Sequence, residues 1–475
     1  MENAEDQLLF SLKENKYAPR FNYEATDMLT GVFLAEVKAF ESSLKVLRKD
    51  TKERKDFMLK KIRGLLNKAS KNILEYMNLD ILKVDLASLD EQALFTLLEH
   101  VPLSKREDLA QRPWRHVPVD MSLDNMIVYR TAGTTAEPMA VPSHPVATGC
   151  YSPLLVEAMA AWNVEPNFSP GGVGIALVGF QAKSVTVAAR LQALNNSGFV
   201  KINIMESEWR DPLDPYRYIL DINPSVLTGD PFSFSQLAHL GDLLIENGEI
   251  EEHYCPAALI TTAVALKDAI RKHLVAKFRA PVIDLYSLTE TGPIAYGCKA
   301  KNGYHVLPHD IHLEVVDKEG HPLPEGELGE IVITGGRNPY FPLIRYRTGD
   351  WGRLDFSTTC ECGDKMPRIV DLEGRMPVLY HTPSGNWINN RDITAVLDRF
   401  PVTRFTFHQD SMGAFTLIAR LAPFDKSTEK QDLELALKKI LGEHARIDIK
   451  LDPNLGDRDI GKVIPFTTDF PLFYD

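Results

Sequence analysis

Six short apolar runs, NMIVY, VGIALVG, FVKINIM, SVLTG, AALITT and PVIDLY, fall between residues 125 and 286. Helical patterns such as SQLAHLGDLLIENG and LKDAIRKHLVAKF lie between the later ones. Runs of this length without a polar face predict buried strands, and strands that alternate with helices need crossover connections. That combination predicts an α/β fold: mostly parallel sheets with helices packed on both faces. From about residue 311 the rhythm becomes strand-rich and turn-punctuated, IHLEVVDKEGHPLPEGELGEIVITGG, which predicts a β subdomain. After EGRMP at 373–377 a separate unit is expected. It has strands at RFTFHQ, AFTLIARL and RIDIKL, and a helix at STEKQDLELALKKILGEH with Leu433, Leu437 and Leu441 on one face. A chain of 475 residues exceeds one ordinary domain. The expected division is 1–373, a large N-terminal core, and 374–475, a small α+β unit.

The first hundred or so residues, to about 110, are predicted helical. Ser88 with Glu91 and Ser104 with Glu107 read as capping boxes there. The basic run at 45–71 carries Phe57, Met58, Leu59, Ile62, Leu65 and Leu66 at helical spacing, so it reads as a solvated helix face. A net charge of −12 argues against a nucleic-acid binder held by phosphate contacts. The acidic N-terminus lacks the order of a secretion signal, and no apolar stretch approaches a membrane span, so a cytoplasmic enzyme is expected. Five cysteines in such a chain do not suggest a disulfide framework. Cys150 and Cys255 are expected to be buried thiols.

Five stretches carry candidate chemistry, and each has an ordinary alternative. VYRTAGTTAEPMA offers Thr131, Gly133, Thr134 and Thr135 as a nest of N–H groups and hydroxyls for anions, although Thr/Gly turns are common. Glu137 stands where such loops often place a lysine, and it is expected to point outward. In DLYSLTETG, Tyr286 could lie against a flat base; Glu290, at a strand's carboxyl end, makes sense beside phosphates only through a cation such as Mg²⁺. The alternative is a helix cap. Asp350 in LIRYRTGDWGRL could accept hydrogen bonds from vicinal ribose hydroxyls, or occupy a plain β-turn. Arg375 marks the junction between units, and Lys462 in RDIGKVIPF is a lone lysine near the chain end.

Taken in order, these stretches resemble the adenylate-forming, AMP-binding superfamily of acyl-CoA synthetases, in its phenylacetate-CoA ligase branch. TAGTTAEP resembles the family's phosphate loop, YSLTE its Tyr-Gly-x-Thr-Glu motif, and YRTGD is an intact further motif; PLSKREDL at 102–109 is also similar to that branch. The resemblance implies that a carboxylic acid attacks Mg-ATP to give acyl-AMP, which a nucleophile, usually coenzyme A, then captures. It implies that Thr131, Gly133, Thr134 and Thr135 hold phosphates and Glu290 positions Mg²⁺. Tyr286 would stack on adenine, Asp350 and Arg375 bind ribose, and Lys462 bridge the attacking carboxylate and the α-phosphate. The small domain then acts as a mobile lid. Phe180, Gly292 and Pro293 are expected to border an apolar acyl pocket for an aromatic, cyclic or short acid. A homodimer is compatible with this picture; no nucleic acid or membrane partner is expected.

Cys298 and His305 in CKAKNGYH, with Cys360 and Cys362 in CECGD, suit a closed tetrahedral Zn²⁺ site of structural kind. His309 or His312 could replace His305, and metal-free thiols are the alternative. The branch resemblance implies such a site, since Cys-x-Cys-Gly after Thr-Gly-Asp matches it. Three departures stand against the family pattern: Ala136 and Ser287 replace glycines, and Pro377 occupies the hinge, where proline fixes φ. A stiff hinge leaves open an amide synthetase, resembling the coronafacate ligases, that passes the acyl group to an amine or amino acid. A non-catalytic relative is the remaining alternative. No G-x-S-x-G or H-E-x-x-H motif supports a hydrolase.

Overall fold

The computed structural model describes residues 3–25, 29–130, 139–180, 184–335, 337–356, 359–373, 378–423, 425, 427–456 and 465–470. The chain divides into two compact units, Met1–Thr26 with Val164–Asp284 and Pro377–Asp475, and Asp27–Asn163 with Leu285–Met376.

In the first unit the predicted parallel sheet is present. Strands Val173–Gly179, Ser197–Asn203, Val226–Gly229 and Ala258–Thr261, with the first half of Val282–Leu288, pair in parallel. Val187–Leu191 closes one edge antiparallel. Helices Asp214–Ile222, Pro231–Glu246 and Asp268–Phe278 supply the crossovers, and Leu227, Leu237, Leu244, Leu259 and Phe278 join one apolar core. Asp230 starts the middle helix by accepting from the N–H groups of Phe232 and Ser233.

Residues after 377 in that unit fold around a core of their own. A mixed four-stranded sheet runs in the order Ile447–Leu451, Phe415–Leu421, Val402–Gln409, Phe466–Thr468. Helix Lys430–Leu441 lays Leu433, Leu437 and Leu441 against Phe407 and Leu417, all fully buried.

The second unit is antiparallel where it is sheet. The second half of Val282–Leu288 pairs with Gly292–Gly297, followed by Tyr304–Val306, Arg368–Glu373, Leu343–Asp355, Gly329–Gly335 and Ile311–Val316. Helices Gly31–Lys49 and Thr51–Asn72 divide the basic run at Asp50, which caps the second; Leu59, Ile62 and Leu66 are buried and the lysines other than Lys68 are exposed. Among the described residues no helix is long and apolar enough to cross a membrane.

Three expectations need correction. The NMIVY run does form a strand, Ile127–Arg130, but it pairs antiparallel with Ala140–Ser143 as a separate hairpin instead of joining the parallel sheet. Neither capping box forms. Asp90, nearer its helix, accepts from Ala93 N–H, while Ser88 donates to its own turn at Asp85. Ser104 instead spends its hydroxyl on the Ile344 carbonyl beside Tyr76 in a buried network. Cys255 is exposed, not buried; Cys150 is buried, and burial pushes its thiol up to about 12.

Because Leu437 is fully enclosed in the C-terminal core, Leu437→Ala is expected to cost about 2–5 kcal/mol, read as a lower urea midpoint for the transition of that region.

Candidate active site

Strand Leu343–Asp355 is irregular in two places against Gly329–Gly335, and Asp350, expected from the sequence, sits at the second. Ile344 and Arg345 lie between the pairs Gly335–Leu343 and Ile333–Tyr346, two residues facing Thr334 alone. Arg345 stands at φ 44°, a left-handed conformation that is unfavourable for a side chain with a Cβ. Its N–H donates to Thr334 Oγ1 at 3.0 Å, and its buried guanidinium is held by Glu314 at 3.1 Å and by the carbonyls of Val101 and Gly320, each at 3.1 Å. The second irregularity places Thr348, Gly349 and Asp350 between the pairs Val332–Arg347 and Glu330–Trp351. Gly349 sits at φ 79° there, with its N–H on Glu330 at 3.1 Å. Bulges re-aim side chains, and these two set the phase in which Tyr346 and Asp350 leave the strand.

The result is a crossed pair of hydrogen bonds. Tyr286 Oη donates to Asp350 Oδ2 at 2.8 Å, and Tyr346 Oη donates to Glu290 Oε1 at 2.9 Å. Tyr286 and Glu290 belong to YSLTE, Tyr346 and Asp350 to YRTGD, so each motif offers one phenol and one acid to the other. Burial, and then the carboxylate beside each, pushes both phenols well above their ordinary value. Both therefore keep their protons and act as donors.

Glu290, 7% exposed, also receives Arg106 Nη1 at 3.3 Å, on the same Oε1. Arg106 comes from PLSKREDL, at the start of helix Arg106–Gln111. Tyr286 is 8% exposed and packs with Met139, Val141 and Ile294, while Asp350 is half-buried. Ser287 lies within the strand Val282–Leu288, so its Cβ is accommodated there.

Gly292 and Pro293 follow in the buried strand Gly292–Gly297. Gly292 adopts φ 73°, and a Cβ on it would overlap the Tyr151 ring; only glycine fits. Tyr151, on helix Tyr151–Ala161, has its phenol pushed up to about 12 by burial. Phe180 belongs to the other unit, half-buried after strand Val173–Gly179 and edge-on to Phe232 at 5.3 Å. Thr131, Gly133, Thr134, Thr135, Ala136, Glu137, Arg375, Pro377 and Lys462 lie outside the described residues. Sequence reasoning assigned no role to Arg106, Tyr346 or Tyr151; the first two were visible only as members of quoted motifs.

The four expected metal donors do converge. Cys298, His305, Cys360 and Cys362 bring their donor atoms within 4.8 Å of one another. Cys298 Sγ and Cys360 Sγ are 3.4 Å apart, and His305 Nε2 is 3.2 Å from Cys362 Sγ. His305 Nδ1 lies 3.1 Å from the Met366 carbonyl, which fixes the ring with Nε2 toward the sulfurs. Burial lowers the His305 pKa, favouring the neutral imidazole that can ligate. His309 and His312 do not replace it: His309 bonds to the Ile294 carbonyl and the Ile311 N–H, and His312 packs on Phe95.

Residues 200–338 match the AMP-binding enzyme family. A phenylacetate-coenzyme A ligase from Thermus thermophilus is 25% identical over 296 residues, 58% of this chain and 61% of that protein. Another, from Pseudomonas putida, is 31% identical over 162 residues, 33% of this chain and 35% of that protein. The matches thus span less than two thirds of the length of these relatives. The fold is that of the crystal structure of 2-hydroxyisobutyryl-CoA ligase in the postadenylation state in complex with 2-HIB-AMP. The TM-score is 0.64 at 16% identity, over 89% of this chain and 91% of that one. Residues 200–338 thus match the AMP-binding enzyme family, parts of the chain are similar to phenylacetate-coenzyme A ligases, and the fold is shared with a coenzyme A ligase.

Proposed function

We propose that this protein is an ATP-dependent acid–CoA ligase that forms an acyl-AMP and then an acyl-CoA thioester, on an aromatic, cyclic or short acyl acid. The observation that carries the reading is the crossed bonding of Tyr286 to Asp350 and Tyr346 to Glu290. It holds two acids in fixed directions, one suited to a ribose diol and one to a phosphate-bound cation. In the first step a carboxylate oxygen of the acid bonds to the α-phosphorus of ATP as pyrophosphate leaves. In the second, the thiol sulfur of coenzyme A takes the acyl carbon, a proton is released and AMP leaves.

Tyr286 would wall the adenine while its hydroxyl orients Asp350, and Asp350 with Arg375 would hold the ribose. Thr131, Gly133, Thr134 and Thr135 would bind phosphate oxygens. Lys462 would sit between the acid and the α-phosphate, carried by residues 374–475 acting as a lid. Glu290 suits Mg²⁺, which binds through one or two carboxylates plus substrate phosphates, since its two hydrogen bonds from described residues fall on one oxygen. When bound, Mg²⁺ neutralises charge on the phosphate oxygens. Gly292, Pro293 and Phe180 would each contact the acyl group, and Tyr151 lies against Gly292. The thioester is preferred over the amide because the matched relatives are named as coenzyme A ligases.

The cysteine–histidine cluster is proposed to hold a structural Zn²⁺. A tetrahedral site with Zn–S bonds of about 2.3 Å has ligand–ligand edges of about 3.8 Å, and the observed spacing is consistent with that. Three thiolates and one imidazole leave no position for substrate, so Zn²⁺ would tie the loops together.

The deciding experiment is pyrophosphate release across a panel of carboxylic acids that includes phenylacetate, with coenzyme A or amino acids as acceptors. Acid-dependent release with a thioester product is expected; an amide product, or release with no acid, overturns the reading. Lys462→Ala is expected to slow adenylation by about a hundredfold or more, in the range of a lost transition-state charge contact, while capture of supplied acyl-AMP by coenzyme A persists. Tyr346→Phe removes a donor to a buried carboxylate and is expected to lower ATP–pyrophosphate exchange by about ten- to a hundredfold. Protein purified without chelator is expected to contain about one zinc per chain by elemental analysis, and Cys298→Ser or Cys360→Ser to lose it along with thermal stability.

A further inference from the structure

Arg404 and Arg420 stand directly opposite each other on strands Val402–Gln409 and Phe415–Leu421. Like charges so placed are destabilising in a sheet, so the pair calls for a compensating partner. Both guanidinium groups lie over one ring, that of Phe232, at 5.0 Å and 4.2 Å from its centroid. Phe232 is 4% exposed, in the first turn of helix Pro231–Glu246, where Asp230 fixes its N–H. The two arginines also reach one short stretch of backbone: Arg404 Nη1 donates to the Gly456 carbonyl at 3.0 Å and Arg420 Nη1 to the Leu455 carbonyl at 3.4 Å. Gly456 has φ 84°, and a Cβ there would overlap Arg404. The approach is therefore built for glycine.

A second contact holds the same two regions. Lys267, just before helix Asp268–Phe278, pairs with Asp398 at 3.2 Å and lies 4.6 Å from the Phe405 ring centroid. On its other side Phe232 meets Phe180 edge-on, at 5.3 Å and 82°.

We propose that Phe232 is the seat that registers the C-terminal segment for adenylation, with Arg404 and Arg420 as positioning residues that carry this register to Leu455 and Gly456. The inference rests on the proposed adenylation role of Lys462, six positions after Gly456 in the sequence. Phe180, proposed to border the acyl pocket, touches the same ring, so an acid that orders Phe180 also orders the seat of the two arginines. The geometry is pairwise and continuous: Phe180 to Phe232, Phe232 to the arginines, the arginines to the backbone carbonyls.

The test compares the two half-reactions of the full-length enzyme, with phenylacetate as the probe acid. Phe232→Leu and Arg420→Gln are each expected to slow phenylacetate-dependent ATP–pyrophosphate exchange about tenfold, the loss of a desolvated cation–ring contact. Capture of supplied phenylacetyl-AMP by coenzyme A should stay near wild type, and Phe232→Tyr, which keeps a ring, should restore exchange. Equal losses in both half-reactions, or no loss in either, overturn the proposal. Hydrogen exchange of the substrate-free full chain supplies a readout that needs no turnover. Phe232→Leu should speed exchange at residues 452–456 about tenfold, in proportion to the lost contact, and leave helix Lys430–Leu441 unchanged. Unaltered exchange at 452–456 overturns the proposal even if the wild-type enzyme turns over phenylacetate. A wild-type enzyme that adenylates no acid defeats the ligase reading instead, and the exchange at 452–456 then decides the register alone.

Discussion

Two phenols hold two carboxylates in place, and the rest of the site depends on that exchange. A buried carboxylate is costly unless its charge is met by donors, and Glu290 has Tyr346 and Arg106 for the purpose. Hydrogen bonds to charged groups contribute about 1.5–3 kcal/mol each, whereas one residue in a sparsely populated backbone region costs about 1–3 kcal/mol. The strand Leu343–Asp355 can therefore tolerate Arg345 at φ 44°, because the irregularity is what brings Tyr346 and Asp350 to their partners. The strain is also met locally, since the Arg345 guanidinium is paired with Glu314 and with the Val101 and Gly320 carbonyls. Crossing the bonds makes the two motifs interdependent: a shift of one removes the donor from the acid of the other.

The parallel strands were legible because their signal is local. An apolar run of four to seven residues between turn residues has few alternatives, and Val173–Gly179, Val226–Gly229 and Ala258–Thr261 appear where the runs are. The hairpin was not legible. Ile127–Arg130 has the same apolar texture as a sheet strand, and its partner Ala140–Ser143 carries Pro142, which reads as a break but is tolerated in an edge strand. The capping boxes failed for a related reason. The Ser-x-x-Glu pattern guarantees that the right groups are present, not that they have nothing better to bind, and Ser104 had Tyr76 and the Ile344 carbonyl.

At the site itself the sequence displayed Tyr286, Glu290 and Asp350 as motif residues, but not what would bind them. Arg106 meets Glu290 across 184 positions of chain, and Tyr346 meets it across 56. No periodicity reports contacts at such separations. Tyr151 is legible only afterwards, through Gly292: a glycine with φ 73° whose missing Cβ makes room for an aromatic ring. Nothing about a tyrosine one residue past Cys150 announces that pairing.

The choice among three nearby histidines shows how local bonding decides chemistry that composition leaves open. His305, His309 and His312 are all buried enough to stay neutral, the form a metal requires. His309 has both ring nitrogens engaged with backbone, the Ile294 carbonyl and the Ile311 N–H. His312 lies against the Phe95 ring, 4.8 Å between centroids. His305 alone of the three has one nitrogen anchored to a carbonyl and the other turned to a cysteine sulfur. Its strand, Tyr304–Val306, is only three residues long and is paired on both sides, to Gly292–Gly297 and Arg368–Glu373. Cys298 follows one neighbour and Cys360 and Cys362 precede the other, so donors from both flanks meet over the central strand. Arg48 strengthens the same corner, reaching Asp364 at 2.6 Å and the Tyr296 hydroxyl at 3.1 Å from helix Gly31–Lys49. A metal bound there would fasten the strand that carries Gly292 to the one that pairs with Asp355, across the short strand between them.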